Sequence, residues 1–172
     1  MSFLNRIFSR RRERRALAPL YRGIVATARD PFWYRDGQVP DTIDGRFDMV
    51  AAVLALVLLR LEREGEAARG ASVRLTESFI DDMDGTLRQI GIGDHVVGKH
   101  VGRMIGALGG RLAAFRDAES DPDAFSAAVL RNVFHETPPV QPAADAAVER
   151  LARLRDALAA ADCRDLLAGK LP

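Results

Sequence analysis

Apolar residues return at every third or fourth position over most of the chain, which is the spacing of a helix face, and no stretch alternates apolar and polar residues as a half-buried strand would. Leu17, Leu20, Tyr21, Ile24, Val25 and Ala28 mark a first helix that ends before Asp30-Pro31. From Phe47 to Leu61 the chain is apolar almost all the way round, the signature of a central buried helix. Arg60 to Gly70, charged and glycine-bearing, reads as a surface connection. Two amphipathic pieces follow. Phe79, Ile80, Met83, Leu87 and Ile90 stripe the first, opposite Glu77, Asp81, Asp82 and Asp84. Val96, Val97, Val101, Met104, Ile105 and Leu108 stripe the second, which runs to about Ala118 with Lys99 and Arg103 off the stripe. Gly91 separates them, because only glycine takes a left-handed backbone at no steric cost, and Asp94 is placed to cap the second.

Asp121-Pro122 opens another helix through Phe125, Val129 and Phe134, stopped by Pro138-Pro139. Ala143 to Ala161 is a long Ala/Leu/Arg helix, and a short tail from Asp162 closes the chain. The expectation is an all-α, single-domain irregular bundle of about seven helices. Its predicted domain spans residues 17–172, preceded by a basic amphipathic segment over 1–16.

Composition narrows the class. At 172 residues and 48% apolar the chain can bury a full core, and the longest apolar run, the eleven residues Met49 to Leu59, is well short of the ~20 that cross a bilayer. One cysteine, Cys163, excludes an internal disulfide framework. The early apolar residues are broken by Asn5 and Arg6, so no secretory signal is expected. Net charge is only +1, yet residues 1–29 carry eight Arg against one Glu. Within that stretch Phe3 and Ile7 share a helical face, and Arg10, Arg11 and Arg12 follow it. This is either a disordered basic tail or a helix that lies on an anionic membrane, in which case these five residues are its membrane or phosphate contacts.

Candidate chemistry adds little. Asp82-Met83-Asp84-Gly85-Thr86 matches the Asp-x-Asp-Gly-Thr phosphotransfer motif of haloacid dehalogenase-like enzymes, but that chemistry needs its carboxylates at the end of a buried strand, and the residues before Asp82 form none. Glu77, Asp81 and Asp84 share a helix face near His95 and His100, without the Glu-x-x-His pairs of bundle metal sites. No metal or cofactor is therefore expected, and no nucleic-acid module is recognisable. Arg46, between Asp44 and Asp48, reads as a structural ion-paired arginine. Phe32, Trp33 and Tyr34 either pack over the bundle or form an exposed rim that grips an apolar partner.

Two blocks carry a resemblance. Asp81-Asp82-Met83-Asp84, then Leu87-Arg88, then Gly91-Ile92-Gly93-Asp94 with Val97-Gly98-Lys99 form one; Val39-Pro40-Asp41-Thr42-Ile43-Asp44-Gly45-Arg46-Phe47-Asp48-Met49 form the other. Together they resemble the signatures of the ubiquinol-cytochrome c chaperone family, over about Tyr21 to Phe115. The resemblance implies a non-enzymatic chaperone that binds newly synthesised cytochrome b and promotes assembly of the cytochrome bc1 complex (ubiquinol-cytochrome c reductase), without a cofactor of its own. It also implies a bacterial-type member, cytoplasmic and peripheral at the inner membrane; mitochondrial relatives work with a small partner protein near the ribosomal exit. Relatives carry aromatic residues ahead of the Gly-Arg at Gly110-Arg111, where this chain has Leu108-Gly109. A chaperone for a membrane protein needs an apolar groove with a charged rim. On this reading Phe32, Trp33 and Tyr34 are the apolar client contacts, with Asp81, Asp82, Asp84, Arg88 and Lys99 the polar ones. The competing readings are a magnesium-dependent phosphatase-like enzyme using Asp82 and Asp84, and a membrane-associated scaffold with another client.

Overall fold

One helix, α3 (Ile43–Glu62), runs through the middle of the protein, and every residue from Phe47 to Leu58 on it is buried. The computed structural model describes residues 3–91, 93–135 and 139–172, with side chains described over 15–91, 93, 96–135 and 139–172. Around α3 pack α1 (Phe3–Ala28), α4 (Glu66–Gln89), α5 (Asp94–Asp117) and α7 (Ala143–Ala160), together with a π-helical turn (Leu130–Phe134) that continues α6 (Pro122–Val129). Two five-residue helices, α2 (Pro31–Arg35) and α8 (Cys163–Leu167), complete the bundle. The all-helical expectation holds: no strand occurs among the described residues. Among them, no helix is long and apolar enough to cross a membrane.

Local chemistry accounts for where α3 begins. Thr42 caps it, its hydroxyl accepting from the Gly45 amide at 3.1 Å. Pro40 then lies so close over the first turn that a Cβ on Gly45 would sit 2.0 Å from the Pro40 carbonyl oxygen. The Pro40 to Gly45 block is thus a steric fit of backbone on backbone, and it delivers Phe47 and Asp48 to the interior.

The far end of the chain closes on α1. Pro19, inside that helix, cannot donate a backbone hydrogen bond, and the α8 tail seats against it. Gly169, with φ +91°, passes so near that a Cβ there would lie 2.6 Å from Pro19 Cβ, while Leu171 packs on Gly23.

Several boundaries depart from the sequence expectation. Residues 60–70 are not a surface connection: the break between α3 and α4 is only 63–65, because Arg60 bonds Glu64 at 2.7 Å and the carbonyl of Ala161 at 2.9 Å, while exposed Gly70 is tolerated inside α4. Asp94 is not the cap of α5; Gly93 holds that position. Residues 31–35 form a helix capped by Asp30, and the tail from Asp162 forms α8, capped by Asp162 itself. Helix α1 runs across position 16 without a break. The side chains of Phe3, Ile7, Arg10, Arg11 and Arg12 lie outside the described residues.

Candidate functional site

At the junction of α3, α4 and α5 the bundle opens. Ile43, Phe47 and Val50 of α3, Met83, Thr86 and Leu87 of α4, and Met104 of α5 line an apolar groove of about 120 Å³, with Arg29 and Arg46 on its rim. Ile43, at its mouth, is 47% exposed. Helix periodicity placed these apolar side chains inward, and Phe47, Val50, Met83 and Leu87 are indeed buried; Ile43, with the half-buried Thr86 and Met104, is where the groove meets solvent.

A second, polar cleft adjoins it and shares Phe47 and Met104 as its wall. Asp44, Asp48, His100, Arg103, Ala107 and His135 complete its lining. Behind it lies a buried ion pair. Asp48 is 4% exposed and Arg111 2% exposed, and Arg111 Nη2 donates to Asp48 Oδ1 at 2.8 Å and to the carbonyl of Asn132. Burial pulls the Arg111 guanidinium below the ordinary arginine range while the Asp48 charge opposes that shift. Its Nε and Nη1 are buried without a hydrogen-bond partner. The π-turn explains the geometry: the widened turn ends at His135, whose positive φ of 55° brings Nε2 to 2.7 Å from Asp48 Oδ2. Arg46 is ion-paired, as expected, and its partner is Asp41 at 2.6 Å on the surface. Asp48 is left free to turn inward.

The residues singled out from sequence fall elsewhere. Trp33 is not part of an exposed rim: it is 1% exposed, and its indole Nε1 donates to the Thr27 carbonyl at 2.7 Å. Phe32 meets it edge-on with ring centroids 5.5 Å apart, and the Arg150 guanidinium of α7 stacks over both rings. Tyr34 donates to the Ala28 carbonyl at 2.9 Å. The aromatic segment therefore clasps α1 to α7. Asp82 accepts from the Tyr21 hydroxyl at 2.9 Å; burial first, then the Asp82 charge, raises the Tyr21 pKa far above its ordinary value. Asp81 and Asp82 border a shallow cleft between α1 and α4 together with Arg22 and Arg29. Asp84 pairs with Arg88 at 2.7 Å, and Lys99 is exposed on α5.

None of these eight lines the apolar groove, although Met83 and Leu87 of the same signature block do. The signal was in the pattern: apolar residues on the stripe of a block otherwise rich in charge. Asp82 and Asp84 sit inside a 24-residue helix, not at a strand end, which leaves phosphotransfer without its scaffold. Among the described residues no group of three His, Cys, Asp or Glu side chains is placed to hold a metal ion.

The sequence model for the family described as ubiquinol-cytochrome C chaperone matches residues 35–171. A crystal structure of the Cbp3 homolog from Brucella abortus superposes with a TM-score of 0.80 at 29% sequence identity, covering 98% of this chain and 95% of that one. No curated protein sequence matches at a significant level.

Proposed function

This chain belongs to the ubiquinol-cytochrome c chaperone family, and on that premise we propose that it binds newly synthesised cytochrome b and promotes assembly of the cytochrome bc1 complex without itself catalysing a reaction. The observation that carries this reading is the open apolar groove between α3, α4 and α5, joined to a polar cleft. A membrane-protein client exposes apolar helices before assembly, and water makes that exposure costly at roughly 25 cal/mol per Å². A groove with one open wall covers part of such a surface. Because the contact is shallow and bordered by charge, later subunits can displace the chaperone. Asp82 then serves to fasten α4 to α1 through Tyr21, and Asp84 supports α4 through its pair with Arg88 in the same helix. We place the protein on the cytoplasmic face of the inner membrane. The arginine-rich start of α1 supports a peripheral contact with anionic lipid there, by attraction of roughly 1 kcal/mol per basic group.

Affinity purification of the tagged chain from detergent-solubilised membranes of its own host tests the reading. Cytochrome b is expected in the eluate, and more of it when later bc1 subunits are missing. Normal bc1 assembly in cells lacking the protein, with no cytochrome b recovered, would overturn it.

A further inference from the structure

We infer that Met104 is a reversible oxidation site, where a peroxide converts the thioether to a sulfoxide and so loosens the hold on an apolar client. The loss of hold rests on the client-binding reading above; the site itself rests on where the sulfur atoms lie.

Among the described residues, burial sorts the sulfur-bearing side chains. Met49 is 0% exposed and Met83 6% exposed, both inside the core. Met104 is only half-buried. Cys163 also meets solvent, but it lines a separate cleft, with Arg60 and Leu167, that shares no residue with the groove. Burial pushes its thiol above the ordinary range, which keeps the reactive thiolate scarce. Met104 is therefore the sulfur at which oxidation changes the groove.

Its position gives the reaction a consequence. Met104 lines both the apolar groove and the polar cleft, so the cleft admits an aqueous oxidant to a side chain whose other flank is part of the apolar wall. The sulfur lone pair attacks one peroxide oxygen, the O–O bond breaks, and a proton shift releases water. Sulfur loses two electrons and the peroxide gains them. The product carries a polar S–O group where a soft, adaptable thioether stood. An apolar helix pressed against that oxygen strips its water and offers no hydrogen bond in return. A thiol-dependent methionine sulfoxide reductase restores the thioether: the S–O bond breaks, the oxygen leaves as water, and two thiols become a disulfide.

The test treats the full chain with dilute hydrogen peroxide and follows each methionine by mass spectrometry of its peptides. Met104 should be oxidised roughly tenfold faster than Met49 or Met83, because susceptibility follows exposure. Oxidised protein, its helicity checked by circular dichroism, is then added as bait to detergent-solubilised membranes of a host strain lacking the chain. Recovery of cytochrome b should fall about tenfold and return after treatment with the reductase. Met104→Leu, close to methionine in volume, should recover cytochrome b as the untreated wild type does and keep it after peroxide. Oxidation of Met104 no faster than that of the buried methionines overturns the inference. So does a loss that the reductase fails to reverse, or an equal loss in the peroxide-treated Met104→Leu variant. Recovery that oxidation leaves intact sinks the inference alone and keeps the chaperone reading. Absence of cytochrome b already with the untreated wild-type chain sinks the chaperone reading, and the inference with it.

Discussion

Arg111 reaches across 63 positions of sequence to donate a 2.8 Å hydrogen bond to Asp48, and both side chains are almost wholly removed from water. Deleting either partner strands the other charge in the interior. Arg111→Ala and Asp48→Ala are each expected to cost about 3 kcal/mol or more in urea unfolding, because an unpaired buried charge is not offset by solvent. Asp48→Asn combined with Arg111→Met should recover much of that loss. A double variant no more stable than the single ones would show that the pair is not the coupled unit described.

Trp33→Ala should destabilise the protein by about 3 kcal/mol or more, since it removes a fully buried indole together with the hydrogen bond to Thr27. Thermal unfolding measures it. A variant that keeps its stability while losing cytochrome b would instead restore the aromatic segment as a client contact.

Asp30 predicts an acid-sensitive hinge. Its carboxylate receives a 2.6 Å bond from Arg150 and caps α2 through the Phe32 amide, and these bonds, Arg150's foremost, hold its pKa below the ordinary carboxylate value. A group depressed on folding adds stability above its unfolded pKa and loses it as pH falls through the folded one. Asp30→Asn is therefore expected to be about 1 kcal/mol less stable at neutral pH. That difference should close below about pH 4 as the wild-type carboxyl is protonated. A gap that is constant from neutral to acid pH would contradict the assignment.

Two glycines in the family-like blocks and helices should respond in opposite directions to the same substitution. Gly45→Ala forces a methyl into the Pro40 backbone and should cost about 2 kcal/mol. Gly102 lies on the outer face of α5, in line with Gly98, Gly106 and Gly110, and nothing approaches within 4 Å of a Cβ built there. Gly102→Ala should add ~0.8 kcal/mol through helix propensity alone. Paired denaturation curves decide both, and a destabilised Gly102→Ala would mean that α5 is packed more tightly than its surroundings indicate.

Helices were legible because their causes are local. The stripe at positions 79, 83 and 87, the Gly91 break and the Asp121-Pro122 start all act within a turn or two of themselves, and the helices stand where those signals lie. The buried character of α3 was legible for the same reason: a helix apolar all round has no side to offer water. Tertiary packing decided the site. Asp48, unlike Asp41 and Asp44, lies inside the run that reads as buried, but nothing near it names its partner: it is buried on Arg111, while Asp44 faces the cleft and Asp41 pairs with Arg46 at the surface. Trp33 and Tyr34 read as exposed or buried with equal ease until Thr27, Ala28 and Arg150 are brought around them. The apolar groove is of the same kind, since periodicity says which face of each helix is apolar but not whether a neighbour covers it. Where α3, α4 and α5 diverge, that cover is incomplete, and only the packed bundle reveals the gap.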